Sequence, residues 1–279
     1  MRPLKAYINL SALTFNLQLV KKIAKNSKVM AVLKANAYGH GLEESVKAIK
    51  SADGIAILTI DEAIKIRKAG FENTILLLEG LFAGEDIYEA EKLNLNLVLH
   101  NDLQIEYLKQ VTLKTPINVH LKINTGMNRL GFPPDQVDYL IENLNANPNV
   151  SGITLMTHFA TADEKEGIEK QLNCFNQVTN NYNLSSSVAN SAALCKFPEA
   201  RLDWVRPGIM LYGASPFEDI SAKKLDVKPV MSLVSKIIAI QDIKKGQSVG
   251  YGDNFIAKED MRIGIVACGY GDGYPRHAK

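Results

Sequence analysis

The 279-residue chain has only three cysteines, Cys174, Cys195 and Cys268, scattered and never in a C-x-x-C pair. Neither a disulfide framework nor a zinc knuckle is suggested, and no metal site is expected. No apolar run approaches the roughly 18 residues of a membrane span. The opening Met1-Arg2-Pro3-Leu4-Lys5-Ala6 leads into Tyr7-Ile8-Asn9-Leu10 without the apolar stretch of a secretion signal. A cytoplasmic protein with no membrane partner is the expectation. Charge of one sign is lacking as well: 32 Lys and Arg stand against 30 Asp and Glu, a net charge of +2. That balance supplies no basic field for nucleic acid. No G-x-G-x-x-G follows a strand-like run, so a dinucleotide fingerprint is missing.

With 46% hydrophobic and 22% charged residues, the composition is that of an ordinary globular protein, long enough for a closed core without staples. Short apolar runs occur at 29–33, 55–58, 74–78, 95–99, 117–123, 150–157, 187–189 and, less clearly, 209–212. They alternate with helical patterns at 42–49, 60–69, 85–93, 103–111, 134–144 and 164–182. Strands apolar on both faces, separated by amphipathic helices, make a parallel sheet covered by helices. Eight such units in about 200–250 residues predict an α/β fold, a closed (β/α)8 TIM barrel rather than an open doubly wound sheet. Near Asp226 the pattern changes to strand-like runs punctuated by turns, which predicts a mainly β unit. The expected division is a barrel over residues 1–225 and a β domain over 226–279. A first strand at about 4–10 is expected to pair with the β domain. So short a β domain is marginal for a core of its own and reads as incomplete.

Chemistry-bearing residues fall at the ends of these runs. In Val32-Leu33-Lys34-Ala35-Asn36-Ala37-Tyr38-Gly39-His40-Gly41, Lys34 follows the first barrel run directly. In a barrel that places its amine at the C-terminal mouth, where such enzymes keep their sites. Partly desolvated, the amine has a lowered pKa and can form a Schiff base; the plainer alternative is a strand-end lysine reaching water. In His120-Leu121-Lys122-Ile123-Asn124-Thr125-Gly126-Met127-Asn128-Arg129, Lys122 lies within a strand and Arg129 beyond a turn. Two such cations in one mouth need neutralising. His158 ends another run and is by default a satisfied core histidine. Asn190-Ser191 ends the next, where Ser191 reads as a helix N-cap or an anion ligand. In Val205-Arg206-Pro207-Gly208-Ile209, Pro207 holds Arg206 extended and Gly208 lets its amide approach an anion. Gly269-Tyr270-Gly271-Asp272-Gly273 reads as a tight turn carrying a tyrosine.

Each stretch is weak alone, but their order is specific. VLKANAYGHG, HLKINTGMNRLG, THFA, NSAA, RPGIMLYG and GYGDGYPR follow one another as in bacterial alanine racemases, a fold-type III pyridoxal phosphate family that the chain resembles along its length. The resemblance implies pyridoxal 5'-phosphate held covalently by Lys34. Tyr38, Ser191 and the amides of Gly208 and Ile209 would contact its phosphate, with Asn190 and His158 in the same cofactor site. Arg206 would face the ring nitrogen and, always protonated, donate to it. Arg129 would sit beside the substrate carboxylate. Lys122 matches a lysine carbamylated in many members, an anion that would pair with Arg129. Two bases are implied, Lys34 for D-alanine and Tyr270 for L-alanine, with His158 and Arg206 lowering the phenol's pKa through positive charge or hydrogen bonds. Tyr270 would come from the partner subunit of a head-to-tail homodimer. The implied product, D-alanine, serves peptidoglycan. Members of the family continue beyond GYGDGYPR through most of a β domain. Rival readings are a racemase of another small amino acid such as serine, and a cofactor-binding barrel with little activity.

Overall fold

The computed structural model describes residues 2–276. Contacts divide the chain into two compact units, Asn9–Val230, and Met1–Ile8 together with Met231–Lys279. The chain starts with β1 (Lys5–Ile8), α1 (Leu10–Ala24), β2 (Lys28–Val32), α2 (Leu42–Ala48), β3 (Gly54–Ile57) and α3 (Ile60–Lys68). It continues with β4 (Thr74–Leu77), α4 (Asp86–Lys92), β5 (Leu95–Leu99), α5 (Asp102–Lys109), β6 (Ile117–Lys122) and α6 (Val137–Asn145). The larger unit ends with β7 (Val150–Met156), α7 (Glu169–Thr179), β8 (Ser185–Ala189), α8 (Ser191–Lys196) and β9 (Trp204–Val205).

Strands β2 to β9 pair in parallel and close into a barrel, β2 bonding to both β3 and β9. The closed parallel barrel expected from the sequence is present. Most of its strands are apolar on both faces because both are sealed, β6 and β8 being the more polar ones. Met30, Val32, Ala56, Leu76, Val98, Met156 and Trp204 form a buried cluster, while the helices cover the outside through stripes such as Leu13, Leu17, Val20 and Ala24 on α1. Side-chain caps set the helix starts: Asn9 accepts from Ala12 N, Thr59 from Glu62 N and Asn101 from Gln104 N. No helix among the described residues is long and apolar enough to cross a membrane.

Two local expectations are corrected. The eighth strand is Trp204–Val205, and Ile209–Tyr212 is instead a 3-10 turn. Pro207 and Gly208 break the chain between them, and Gly213 (φ +84°) ends the turn where a Cβ would collide with the Lys228 carbonyl. Helix α7 begins at Glu169 rather than 164, because Gly167 at φ +62° lies outside helical space. Helix α1 was not among the expected helices; its legible signal is the Asn9 cap. Contacts part the two units after Val230. Asn16, buried on α1, brackets Lys228 by donating to its carbonyl (2.7 Å) and accepting from its amide (2.8 Å).

The second unit comprises β1 with β10 (Met231–Val234), β11 (Ile237–Ile243), β12 (Ser248–Val249), β13 (Phe255–Ile256) and β14 (Met261–Val266). Its pairs are antiparallel: β1 with β10, β11 with β14, and β12 with β13. It is β-rich, as the turn-punctuated pattern indicated.

Candidate active site

In a parallel barrel all strands end on the same rim, so residues at strand ends converge. Lys34 lies two residues past β2, Lys122 ends β6, His158 is two past β7, Asn190 and Ser191 follow β8, and Arg206 follows β9. Ten of the eleven expected site residues line one cavity of about 370 Å³: Lys34, Tyr38, Lys122, Arg129, His158, Asn190, Ser191, Arg206, Gly208 and Ile209. The eleventh, Tyr270, belongs to the other unit, on the exposed 3-10 turn Tyr270–Asp272.

One end of the cavity is a cup of hydrogen-bonding groups. The cap of α8 is Asn190, whose Oδ1 accepts from Ala193 N at 3.0 Å. Ser191, the N-cap candidate in the sequence, is therefore free of that duty. Its hydroxyl accepts from Gly208 N at 3.0 Å and lies 3.5 Å from Met210 N. A Cβ on Gly208 would stand 3.6 Å from the Tyr38 hydroxyl and 3.9 Å from Val32 Cβ, so the bare glycine leaves that space open. The turn carrying Gly208 is tied back to the lysine strand: Tyr212 donates its hydroxyl to Val32 O at 3.0 Å. Its ring meets that of Tyr38 edge-on, centroids 5.2 Å apart.

At the floor lies Arg206, buried, with both terminal nitrogens bonded to the barrel. One terminal nitrogen donates to Ser187 O and Oγ (2.6 and 2.7 Å), the other to Thr157 O (2.7 Å) and toward His158 Nδ1 (3.4 Å). Its Nε–H bonds to no protein atom among the described residues and is not sealed off. Burial lowers the Arg206 pKa to about 10, which leaves it charged at neutrality. Because Arg206 only donates, His158 Nδ1 must accept, which fixes the neutral tautomer with hydrogen on Nε2. Burial first, and Arg206 and Arg129 after it, push His158 down to about 3. Of the two contributions expected from His158, positive charge or hydrogen bonds, a neutral ring leaves hydrogen bonds. Burial, then Arg206 and Arg129, lower Lys122 to about 8. The like-charge conflict read from the sequence is present in the site.

Two carboxylates in the cavity lining, Glu79 and Asp163, were not anticipated. Glu79 directly follows the apolar run that ends in Leu78 and precedes Gly80, the same strand-end position that singled out Lys34. It opposes the other groups by favouring the charged form of Lys122.

Models of the alanine racemase N-terminal and C-terminal domains match residues 8–216 and 230–279. The chain belongs to the alanine racemase family. It is 48% identical over 280 residues to an alanine racemase of Nitrosospira multiformis, covering 99% of this chain and 78% of that one. Among solved alanine racemases it superposes on the biosynthetic enzyme of Pseudomonas aeruginosa with a TM-score of 0.95 and 44% identity, over 100% of this chain and 79% of that one. The structure from Acinetobacter baumannii gives 0.92 and 41%, over 99% and 78%. The chain thus spans about four fifths of these alanine racemases.

Proposed function

We propose that the chain binds pyridoxal 5'-phosphate in the barrel mouth and interconverts L- and D-alanine with two bases. The observation that carries this reading is the single cavity holding a lysine amine, a cup of donors and a buried guanidinium. The donor set fits the cofactor. The Tyr38 and Ser191 hydroxyls and the Ile209 amide can donate, the Gly208 amide, which donates to Ser191 Oγ, adds a donor if that bond yields to the anion, and the gap over Gly208 leaves room for one. Asn190 holds the start of α8 and so places Ser191. Lys34 supplies the amine for covalent attachment, and the free Nε–H of Arg206 suits a ring nitrogen that accepts.

When bound, the cofactor withdraws electrons from the substrate and acidifies its α-hydrogen. Arg129 holds the substrate carboxylate. Lys34 Nζ removes or returns the proton on one face, serving D-alanine. Tyr270 Oη serves L-alanine on the other face, from the partner subunit of a homodimer. Arg206 cannot give up its proton, so it keeps the ring nitrogen unprotonated and restrains side reactions. Lys122, with a pKa near 8, has a neutral fraction able to add carbon dioxide, forming an N–C bond and releasing a proton. The resulting carbamate would face Arg129.

The test is turnover of L-alanine to D-alanine by the cofactor-loaded chain, with borohydride reduction and peptide mapping alongside. Racemisation with the label on Lys34 supports the reading. A label on Lys122, or none, overturns the site. Labelled Lys34 without turnover would favour a barrel that only binds, and turnover of serine in preference to alanine would reassign the substrate.

A further inference from the structure

The segment after Lys34 has an unusual backbone. Ala35, Asn36, Ala37 and Tyr38 sit consecutively at φ +54°, +55°, +53° and +51°, one turn of left-handed helix built from residues that carry a Cβ. In this conformation the Cβ crowds the following carbonyl, so the chain by itself prefers the opposite hand. Something outside the turn must select it.

His40 Nδ1 meets the Ala37 and Tyr38 carbonyls at 2.9 and 3.2 Å, and the Tyr212 ring packs on Tyr38; the contact that comes from a neighbouring barrel helix is Glu62. Thr59 caps α3 and Glu62 stands three residues later, the spacing of a capping box. In such a box the glutamate turns back to the amide of its own cap residue. Here Oε2 accepts from Leu58 N, at the end of β3, and Oε1 accepts from Asn36 N, in the middle of the left-handed turn, both at 3.0 Å. The Asn36 side chain carries the restraint onward by accepting from Leu42 N at 2.8 Å. Glu62 is absent from the cavity lining. Tyr38, two residues beyond the held amide, does line it.

We propose that Glu62 is a positioning residue that holds the turn left-handed and so aims the Tyr38 hydroxyl into the anion cup. This rests on the reading of that cup as the phosphate site. Losing Glu62 lets the turn relax toward the hand its residues prefer, so the fold loses little while the phenol leaves the cup.

The experiment is a double-mutant cycle on the affinity for pyridoxal 5'-phosphate, read by absorbance titration of wild type, Tyr38→Phe, Glu62→Gln and the double variant. Each single change is expected to weaken binding by about tenfold. The double variant should be no weaker than Tyr38→Phe alone, since Glu62 acts through that phenol. Additive losses, about a hundredfold together, would sink this inference and leave the cup standing. Unchanged affinity in Tyr38→Phe would sink the cup and this inference with it. Two further readouts separate positioning from general support. The cofactor-free melting temperature of Glu62→Gln should stay within about 2 °C of wild type, while the Asn36 amide exchanges faster with deuterium. Ala35→Gly, which accepts positive φ freely, should restore at least part of the affinity in the Glu62→Gln background. A large fall in melting temperature with no rescue by glycine would assign Glu62 to the fold rather than to the phenol.

Discussion

Ile55 and Ile57 on β3 of the barrel are sealed from solvent, whereas Ile237, Ile238 and Ile240 on β11 are 61%, 65% and 61% exposed. The residue type is the same and both segments are strands, β3 parallel to its neighbours and β11 antiparallel to its one partner. What differs is closure. Each barrel strand has a partner on both sides, and helices lie over the outer face. The second unit consists of two-stranded pairs, each with open edges and apolar faces turned outward. Burial in the barrel comes from its own layers, and the binding groups gathered at its rim inherit that rigidity. In the β unit the strands form without a comparable core, and Tyr270 stands there on an exposed turn. The barrel carries the proposed binding groups; the β unit carries an outward-facing apolar surface and the second base proposed above.

The largest expected effect lies in the barrel. Lys34→Ala should abolish the borohydride label and lower racemisation in both directions by about 10³-fold or more. Activity within tenfold of wild type would remove Lys34 from the chemistry. Next comes a direct comparison of the two regions. Leu76→Ala in the barrel should cost about 3 kcal/mol in urea unfolding, because the cavity cannot collapse among packed strands. Ile238→Ala in the β unit should cost under about 0.5 kcal/mol. Similar costs at both positions would erase the contrast.

A smaller effect concerns pH. Burial, with Arg206 adding to it, pushes His120 inside the barrel down to about 3. Between that value and the ordinary histidine range the unfolded chain binds more protons than the folded one. The stability that His120 contributes as a neutral ring is therefore lost as pH falls below about 6.5. By pH 5 the loss should be about 2 kcal/mol. His120→Gln, which cannot titrate, should show a shallower decline over the same range. Parallel curves for the two proteins would contradict the buried neutral ring. The smallest expected effect is colloidal. Replacing Ile237, Ile238 and Ile240 together by Thr should reduce association in light scattering without lowering the barrel's unfolding midpoint. The same reduction is expected when the chain is extended with the C-terminal residues of its longer relatives.

The barrel was legible because its strands are short apolar runs at regular spacing, a signal that survives without knowledge of pairing. Its eighth strand was not, because two residues, Trp204 and Val205, carry no periodicity; closure by pairing with β2 defines that strand. Lys34 and His158 could be picked out as polar residues where apolar runs stop, Lys122 as a cation inside one, and Arg206 from the Pro207-Gly208 pair that follows it. Their electrostatics could not. The neutral state of His158 depends on burial and on a guanidinium 48 positions away in sequence, neither of which a linear reading shows. The left-handed turn was equally hidden, since the alanines at 35 and 37 favour the opposite hand and the contacts that hold the turn, Glu62 and His40 among them, come from outside it.

If the barrel binds and the β unit supplies the second base, the two functions separate in Tyr270→Phe. This variant should be loaded with cofactor and given D-alanine or L-alanine in deuterium oxide, with the α-hydrogen followed by NMR. Lys34 is still present, so D-alanine should exchange its α-hydrogen for deuterium and remain D, while L-alanine exchanges far more slowly. Interconversion should fall by about 10²-fold or more. Racemisation at the wild-type rate, or equal exchange from both enantiomers, would contradict the division of labour between the two units.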